Sequence, residues 1–172
     1  SKDLPMHIYH CLVGNVHPAE IVRPTGLFSL DIMPAHTDLA GATIELVNME
    51  NREFRLQSIV NKLRHDYDFI LIDCPPSLAL LTLNGIVAAD YVLIPVQTEY
   101  YALEGLSQLL NSVNLVKDNL DCDVKILGAL CTMHDKRNRL SREILKDVRR
   151  GFPGYVFEVI IPRNISLAEA PG

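Results

Sequence analysis

The chain has 172 residues, 48% of them hydrophobic and 22% charged, with no tryptophan and a formal net charge of −5. That is enough for one domain with a sizeable core, and the composition excludes disordered, collagenous and disulfide-framework classes. The acidic balance removes bulk positive charge as a route to nucleic acid and leaves only a local basic patch. Cys11, Cys74, Cys122 and Cys131 form no C-x-x-C pair and sit mostly in apolar runs, which predicts free, buried thiols in a reducing compartment.

Residues 1–24 read as a helix and a connection ending at Pro24. The opening "SKDLPMHIYH" lacks the apolar core of a secretory leader. "LFSLDIM" (27–33) predicts a short strand closed by Pro34, and 38–65 predicts two helices broken near Asn48–Asn51. Residues 66–73 make a continuous apolar strand of the type buried on both faces of a parallel sheet. "LALLTLNGIVAA" (78–89) is too short to span a bilayer and contains Asn84, so it predicts a buried helix.

"YVLIPV" (91–96) predicts another strand. Leu103, Leu106, Leu110 and Val113 then recur at helical spacing within 100–120. "VKILGALCT" (124–132) predicts a strand, 139–151 a helix and "YVFEVII" (155–161) a last strand. This alternation predicts an α/β fold, a mostly parallel sheet with flanking helices and right-handed crossovers, as a single domain over 1–172. Ligands in such sheets collect at the carboxyl ends of the strands, where Asp73, Gln97, Met133 and Pro162 all fall.

"DYDFILIDCPPS" (66–77) is the segment that suggests chemistry. An aspartate closing an apolar strand can reach Mg²⁺ through a water, because Mg²⁺ keeps several waters and takes one or two carboxylates with phosphate oxygens. The plainer alternative is that Asp73 caps the next helix or accepts backbone N–H groups at the strand end. Cys74, Pro75 and Pro76 would stiffen the next stretch of chain.

From this double proline through "SLALLTLNGIVAADYVLIPVQTEYYALEGLSQLL", the chain resembles the ParA/Soj branch of the ParA/MinD partition ATPases, which are deviant-Walker P-loop NTPases. The likeness continues through "IVRPTGLFSLDIMPAHTDLAGATIELVNMENREFRL" before it and "VFEVIIPRNISLAEAP" after it. It implies that Asp73 positions Mg²⁺ for ATP and that Cys74, Pro75 and Pro76 begin a switch sensing the γ-phosphate. It also implies that the base sits among Met133, Ile161, Pro162, Arg163 and Asn164. Without the resemblance, "IPRN" reads as a strand-terminating turn.

The family's phosphate cradle, a loop of the type K-G-G-x-G-K-[ST], has no counterpart: none of the nine glycines is followed by lysine. The family's next aspartate motif is also absent, and the chain ends at "EAPG" where relatives continue. The 172 residues therefore resemble the central two-thirds of a ParA-like protein, truncated at both ends. Such a piece is expected not to hydrolyse ATP alone. It should expose apolar strand edges and the face of the 78–89 helix, unless it has rearranged, pairs with another chain or belongs to a longer molecule.

"DKRNRLSREILKDVRR" (135–150) places Arg139, Arg142, Lys146, Arg149 and Arg150 within an arc of about 100° on a helix. Leu140, Ile144, Leu145 and Val148 are expected opposite. With Arg137 and Arg163 nearby in sequence or by resemblance, this stripe is the candidate DNA surface; the plain alternative is a solvated helix face. Ser166 stands where family members often carry a basic residue. The resemblance places "QTEYYALEGLSQLL" (97–110) beside the nucleotide-dependent dimer face, although Tyr100 or Tyr101 could equally pack on the core. His7 and His10 are three apart, but no carboxylate or cysteine joins them, so no metal beyond Mg²⁺ is expected.

The resemblance thus implies a partition ATPase: ATP and Mg²⁺ as cofactors, an ATP-bridged homodimer, nonspecific DNA binding and stimulation by a ParB-like partner. The setting would be the bacterial cytoplasm, at the nucleoid. The alternative is a non-catalytic DNA- or partner-binding module derived from the family. A membrane-bound relative would need an amphipathic C-terminal helix, and an iron–sulfur relative would need paired bridging cysteines; neither is seen. A tyrosine-kinase relative would carry a tyrosine-rich tail, also not seen.

Overall fold

Helical spacing puts Leu56, Ile59, Val60 and Leu63 on one side of a helix, and all four are buried. They anchor one of two compact units, Ser1–Ala89 and Asp90–Gly172. The computed structural model describes residues 6–14, 16–75, 77 and 79–169.

The first unit runs α1 (Ile8–Val13), a short antiparallel pair of β1 (Arg23–Pro24) and β2 (Asp31–Ile32), α2 (Leu39–Leu46), α3 (Arg55–Leu63) and α4 (Leu80–Ala88). Its core joins Cys11, Leu12, Ile21, Leu56, Ile59, Val60 and Ala88, with Ile72 and Leu81 packed against them. Each large aliphatic side chain removed from water stabilises by about 1.5–3 kcal/mol. The break between α2 and α3 falls where expected, with Asn51 in the left-handed region at φ 53° before a 3₁₀ turn at Arg52–Phe54.

Asn84 holds that turn to α4. Only 1% exposed, it accepts a hydrogen bond from the Leu56 N–H at 3.0 Å and donates to the carbonyls of Arg52 at 2.8 Å and Leu80 at 2.9 Å. A buried amide this well satisfied specifies how the two helices meet rather than weakening the core.

In the second unit, β3 (Tyr91–Gln97) pairs in parallel with β4 (Lys125–Thr132), flanked by α5 (Ala102–Leu120), α6 (Arg139–Gly151) and α7 (Ile165–Glu169). Alternation along β3 sends Ile94 and Val96 into a core with Leu106, Ala129, Cys131, Ile144, Val148 and Phe152. A register shift lies opposite Val92/Leu93, where β4 reaches Gly128 at φ +152°. A Cβ there would strike the Tyr155 carbonyl, so glycine is what lets the 155–157 segment approach β4.

Several expectations need correction. Residues 66–73 form no ladder among the described residues: Phe69 and Leu71 are 87% and 92% exposed, and only Ile72 turns toward the core. An apolar run becomes a strand only when neighbours accept its backbone groups, and none of the described segments does so. The 78–89 helix is not laid open, however, since Thr82 and Asn84 through Ala88 are buried. In 27–33 only Asp31–Ile32 pairs, because the chain turns through Ser29 at φ 55° and leaves Phe28 outside.

Residues 155–161 do run parallel to β4, but through isolated bridges. The N–H groups of Phe157 and Ile161 reach Ala129 and Cys131, so the incoming segment carries extra residues between its two anchor points. Cys11 and Cys131 are buried as expected, whereas Cys122 is half-buried and Cys74 exposed. Among the described residues no helix is long and apolar enough to cross a membrane.

Candidate functional site

The expected site residues fall in both units. In the first, Asp73 is exposed and has no hydrogen-bond or ion-pair partner among the described residues. Helix α4 begins only at Leu80 with Ala79 as its N-cap, so Asp73 does not cap it. The carboxylate follows Ile72, which is partly buried against the core of the first unit.

The chain just beyond Asp73 is fastened to α4 at two points one helical turn apart. The Thr82 hydroxyl, itself buried, donates toward the carbonyls of Pro75 and Ser77. At Gly85 the missing side chain leaves room for Cys74 Sγ. Partial burial of that sulfur, and then the charge of Asp73, push the Cys74 thiol up, which favours the neutral thiol. Pro76 lies outside the described residues. Thr82 and Gly85 were not singled out from the sequence; a hydroxyl and a glycine three apart in an apolar helix were the available signal.

In the second unit, β3 and β4 end together at Gln97 and Thr132. Met133 comes next in the left-handed region at φ 52°, uncommon for a residue with a long side chain, and is 36% exposed. The His134 N–H donates to the Ile161 carbonyl at 3.1 Å, and the Arg163 N–H donates to the His134 carbonyl at 3.1 Å. Met133, Ile161, Pro162 and Arg163 are thereby brought together. Asn164 caps the start of α7, its Oδ1 accepting from the Ser166 N–H at 2.9 Å. The Arg163 guanidinium lies 3.6 Å from Glu99.

Beneath this rim is a buried polar group invisible in the sequence. Ser141 Oγ sits 2.6 Å from Thr98 Oγ1 and 3.1 Å from His134 Nδ1, and it accepts from the Asp135 N–H at 3.2 Å. All three side chains are buried. The network ties the end of β3, the turn after β4 and the first turn of α6 into one piece.

Helix α6 spans Arg139–Gly151, as the periodicity predicts, and the Asn138 side chain caps it by accepting from the Leu140 N–H at 2.9 Å. Its inward centre is Ser141, Ile144 and Val148; Leu140, expected inside, is 40% exposed because it sits at the margin of that arc. Arg137, Arg139, Arg142, Lys146, Arg149 and Arg150 are all exposed. They are not equally free. Arg139 pairs with Glu143 at 2.8 Å, Arg142 donates to the Lys136 carbonyl at 2.8 Å, and Arg149 approaches the Glu158 carbonyl at 3.5 Å. Tyr100 and Tyr101 are also exposed, packed edge-on with ring centroids 5.1 Å apart, so neither joins the core.

Parallel strands with flanking helices make this an α/β protein, and the solved structures it resembles give it the P-loop NTPase fold. A solved structure of that fold, cobyrinic acid a,c-diamide synthase from Mycobacterium smegmatis with bound ADP and magnesium, is 39% identical. It matches with a TM-score of 0.86 over 94% of this chain and 66% of its own. A family profile described as an AAA domain matches residues 1–126.

The chain is 52% identical over 164 residues to the chromosome partitioning protein ParA of Myxococcus xanthus, and 47% identical over 171 residues to the sporulation initiation inhibitor protein Soj of Bacillus subtilis. These matches take in 95% and 99% of this chain, which spans 58% and 68% of the lengths of those relatives. The chain belongs to the ParA/Soj group of the ParA/MinD family.

Proposed function

We propose that the protein carrying these residues is a partition ATPase. In this reading it takes ATP with Mg²⁺, pairs with a second copy around the nucleotide and binds DNA without sequence preference. A ParB-like partner stimulates hydrolysis and release. The observation that carries the reading is Asp73: an exposed carboxylate, without a partner among the described residues, on a segment that Thr82 and Gly85 hold in place.

That carboxylate suits a hydrated Mg²⁺, which neutralises phosphate charge as the terminal phosphoryl group departs. Asp73 would hold it through a water, and the pinned Cys74–Pro75 segment would transmit a change at Asp73 into α4. The Met133 and Ile161–Asn164 rim offers apolar contact and backbone groups to a flat base. Helix α6 offers Lys146 and Arg150 to DNA phosphates, with Arg137, Arg139, Arg142, Arg149 and Arg163 contributing once their protein partners yield.

Partition is preferred to amide synthesis because the relatives named for partition reach 52% and 47% identity, against 39% for the synthase structure. The test uses the full-length gene product. Asp73→Asn should abolish Mg²⁺-dependent ATP binding and hydrolysis, and in cells it should scatter chromosome origins. Wild-type Mg²⁺-dependent binding in Asp73→Asn would remove the role of Asp73. Normal origin segregation in a null strain would overturn partition itself, and failure of the wild-type protein to bind ATP would leave a non-catalytic binding module.

A further inference from the structure

Histidines without ligand spacing in the sequence are brought together at the start of α1 and α2. His7 precedes α1 and is 3% exposed; His36 and Asp38 lie just before α2. One donor atom from each of the three lies within 4.8 Å of the others. Asp38 Oδ2 is 3.1 Å from His36 Nδ1 and 3.7 Å from His7 Nε2. The expectation that no carboxylate joins His7 is therefore corrected by the fold: Asp38 does so from far along the chain.

From this arrangement we propose that His7, His36 and Asp38 form a binding site for a zinc-type divalent transition-metal ion. Two imidazole nitrogens and one carboxylate oxygen are a donor set for zinc and its neighbours, whereas Mg²⁺ and Ca²⁺ take oxygen ligands. Around a tetrahedral ion with bonds of about 2.0–2.1 Å, neighbouring donors are roughly 3.3 Å apart. The two separations to Asp38, 3.1 and 3.7 Å, bracket that value. The third edge, between the two imidazole nitrogens, is within 4.8 Å.

The present contacts of these groups also favour a missing ligand. His7 Nε2, the ring nitrogen that faces Asp38, lies 3.7 Å from its carboxylate, a separation that leaves the nitrogen open to a ligand between them. His36 Nδ1 has only long contacts besides Asp38, from the Asp38 N–H and the Thr37 hydroxyl, both at 3.4 Å. The His7 ring also lies tilted against His36, centroids 5.0 Å apart, and edge-on to His10 at 4.4 Å. The two segments are already joined by the Ile8 N–H to the Pro34 carbonyl at 3.0 Å, so the donors are prepositioned. Asp38 is 61% exposed, which leaves an entry path and room for a water or an outside ligand at a fourth position.

The site shares no residue with Asp73, and its two imidazole donors suit a transition metal better than Mg²⁺, so binding should survive millimolar Mg²⁺. The experiment uses tag-free, chelator-stripped full-length protein titrated with Co²⁺, read by its visible ligand-field absorption, and with Zn²⁺ against a chromogenic chelator. One equivalent per chain is expected, with a melting temperature that climbs as free Zn²⁺ rises. His36→Ala and Asp38→Asn, both at surface positions, should each weaken binding by about 10-fold or more while leaving Mg²⁺-dependent ATP binding intact. His36→Gln serves if His36→Ala folds poorly. Absence of a saturable single equivalent, or wild-type affinity in both the His36 and Asp38 variants, would overturn the proposal.

Discussion

The sulfur of Cys74 faces the bare α-carbon of Gly85: a Cβ built there would overlap Sγ and lie 3.5 Å from the Ile72 side chain. The segment that leaves Asp73 is thus seated on α4 by the absence of a side chain. Gly85→Ala should lift that segment and destabilise the fold by about 1–3 kcal/mol, as overpacking does. The Cys74→Ala/Gly85→Ala pair should recover much of the loss, with a coupling of about 0.5–3 kcal/mol in urea unfolding. Additive effects would mean that the contact does not seat the segment.

Ser141 is the hub beneath the expected base rim. Ser141→Ala leaves the Asp135 N–H and the buried Thr98 and His134 side chains short of a partner. Leaving such groups unsatisfied costs about 1–3 kcal/mol. Thermal unfolding should register this, and ATP affinity of the full-length protein should fall as the Met133 turn loosens. Unchanged affinity beside lowered stability would confine the network to folding.

Pairing within α6 makes the basic stripe weaker than its charge count suggests. Lys146→Ala and Arg150→Ala should each lower DNA affinity and reduce the slope of log K against log salt by about 1. Glu143→Gln should act oppositely, because it frees Arg139 from its 2.8 Å partner. Filter binding or fluorescence anisotropy of the ATP-bound protein over a salt series reads all three. A Glu143→Gln protein that binds DNA no better would place the interface elsewhere.

The Arg52–Glu53 pair braces the turn between α2 and α3. Its 2.8 Å hydrogen bond is the main reason the Glu53 carboxyl is held below its ordinary value of 4.5, with burial opposing. Because the folded state binds the proton less readily than the unfolded one, the stabilisation is full above about pH 4.5. It is lost as pH falls through the lowered folded value. Glu53→Gln should therefore flatten the acid limb of a stability-versus-pH curve while mattering little to its shape above about pH 6. An unchanged acid limb would show the pair to be energetically silent.

Local pattern was enough for much of this protein. The helical pattern over 38–65 contains α3, the periodicity of 139–151 marks α6, and the apolar runs at 91–96 and 124–132 become β3 and β4. Each of these signals lies within a few turns or residues of chain, where backbone geometry alone decides which side chains share a face. The stretch around Asp73 carried the family resemblance, which the relatives bear out.

Tertiary structure decided the rest. An apolar run such as 66–73 carries no information about whether a neighbour will complete its ladder, so Phe69 and Leu71 could not be placed from sequence. Nor could periodicity reveal that Ser141 would reach Thr98, or that Asp38 would stand between His7 and His36. Those meetings join residues tens of positions apart. They depend on how packed cores set whole helices against one another, a property of the folded chain rather than of any stretch within it.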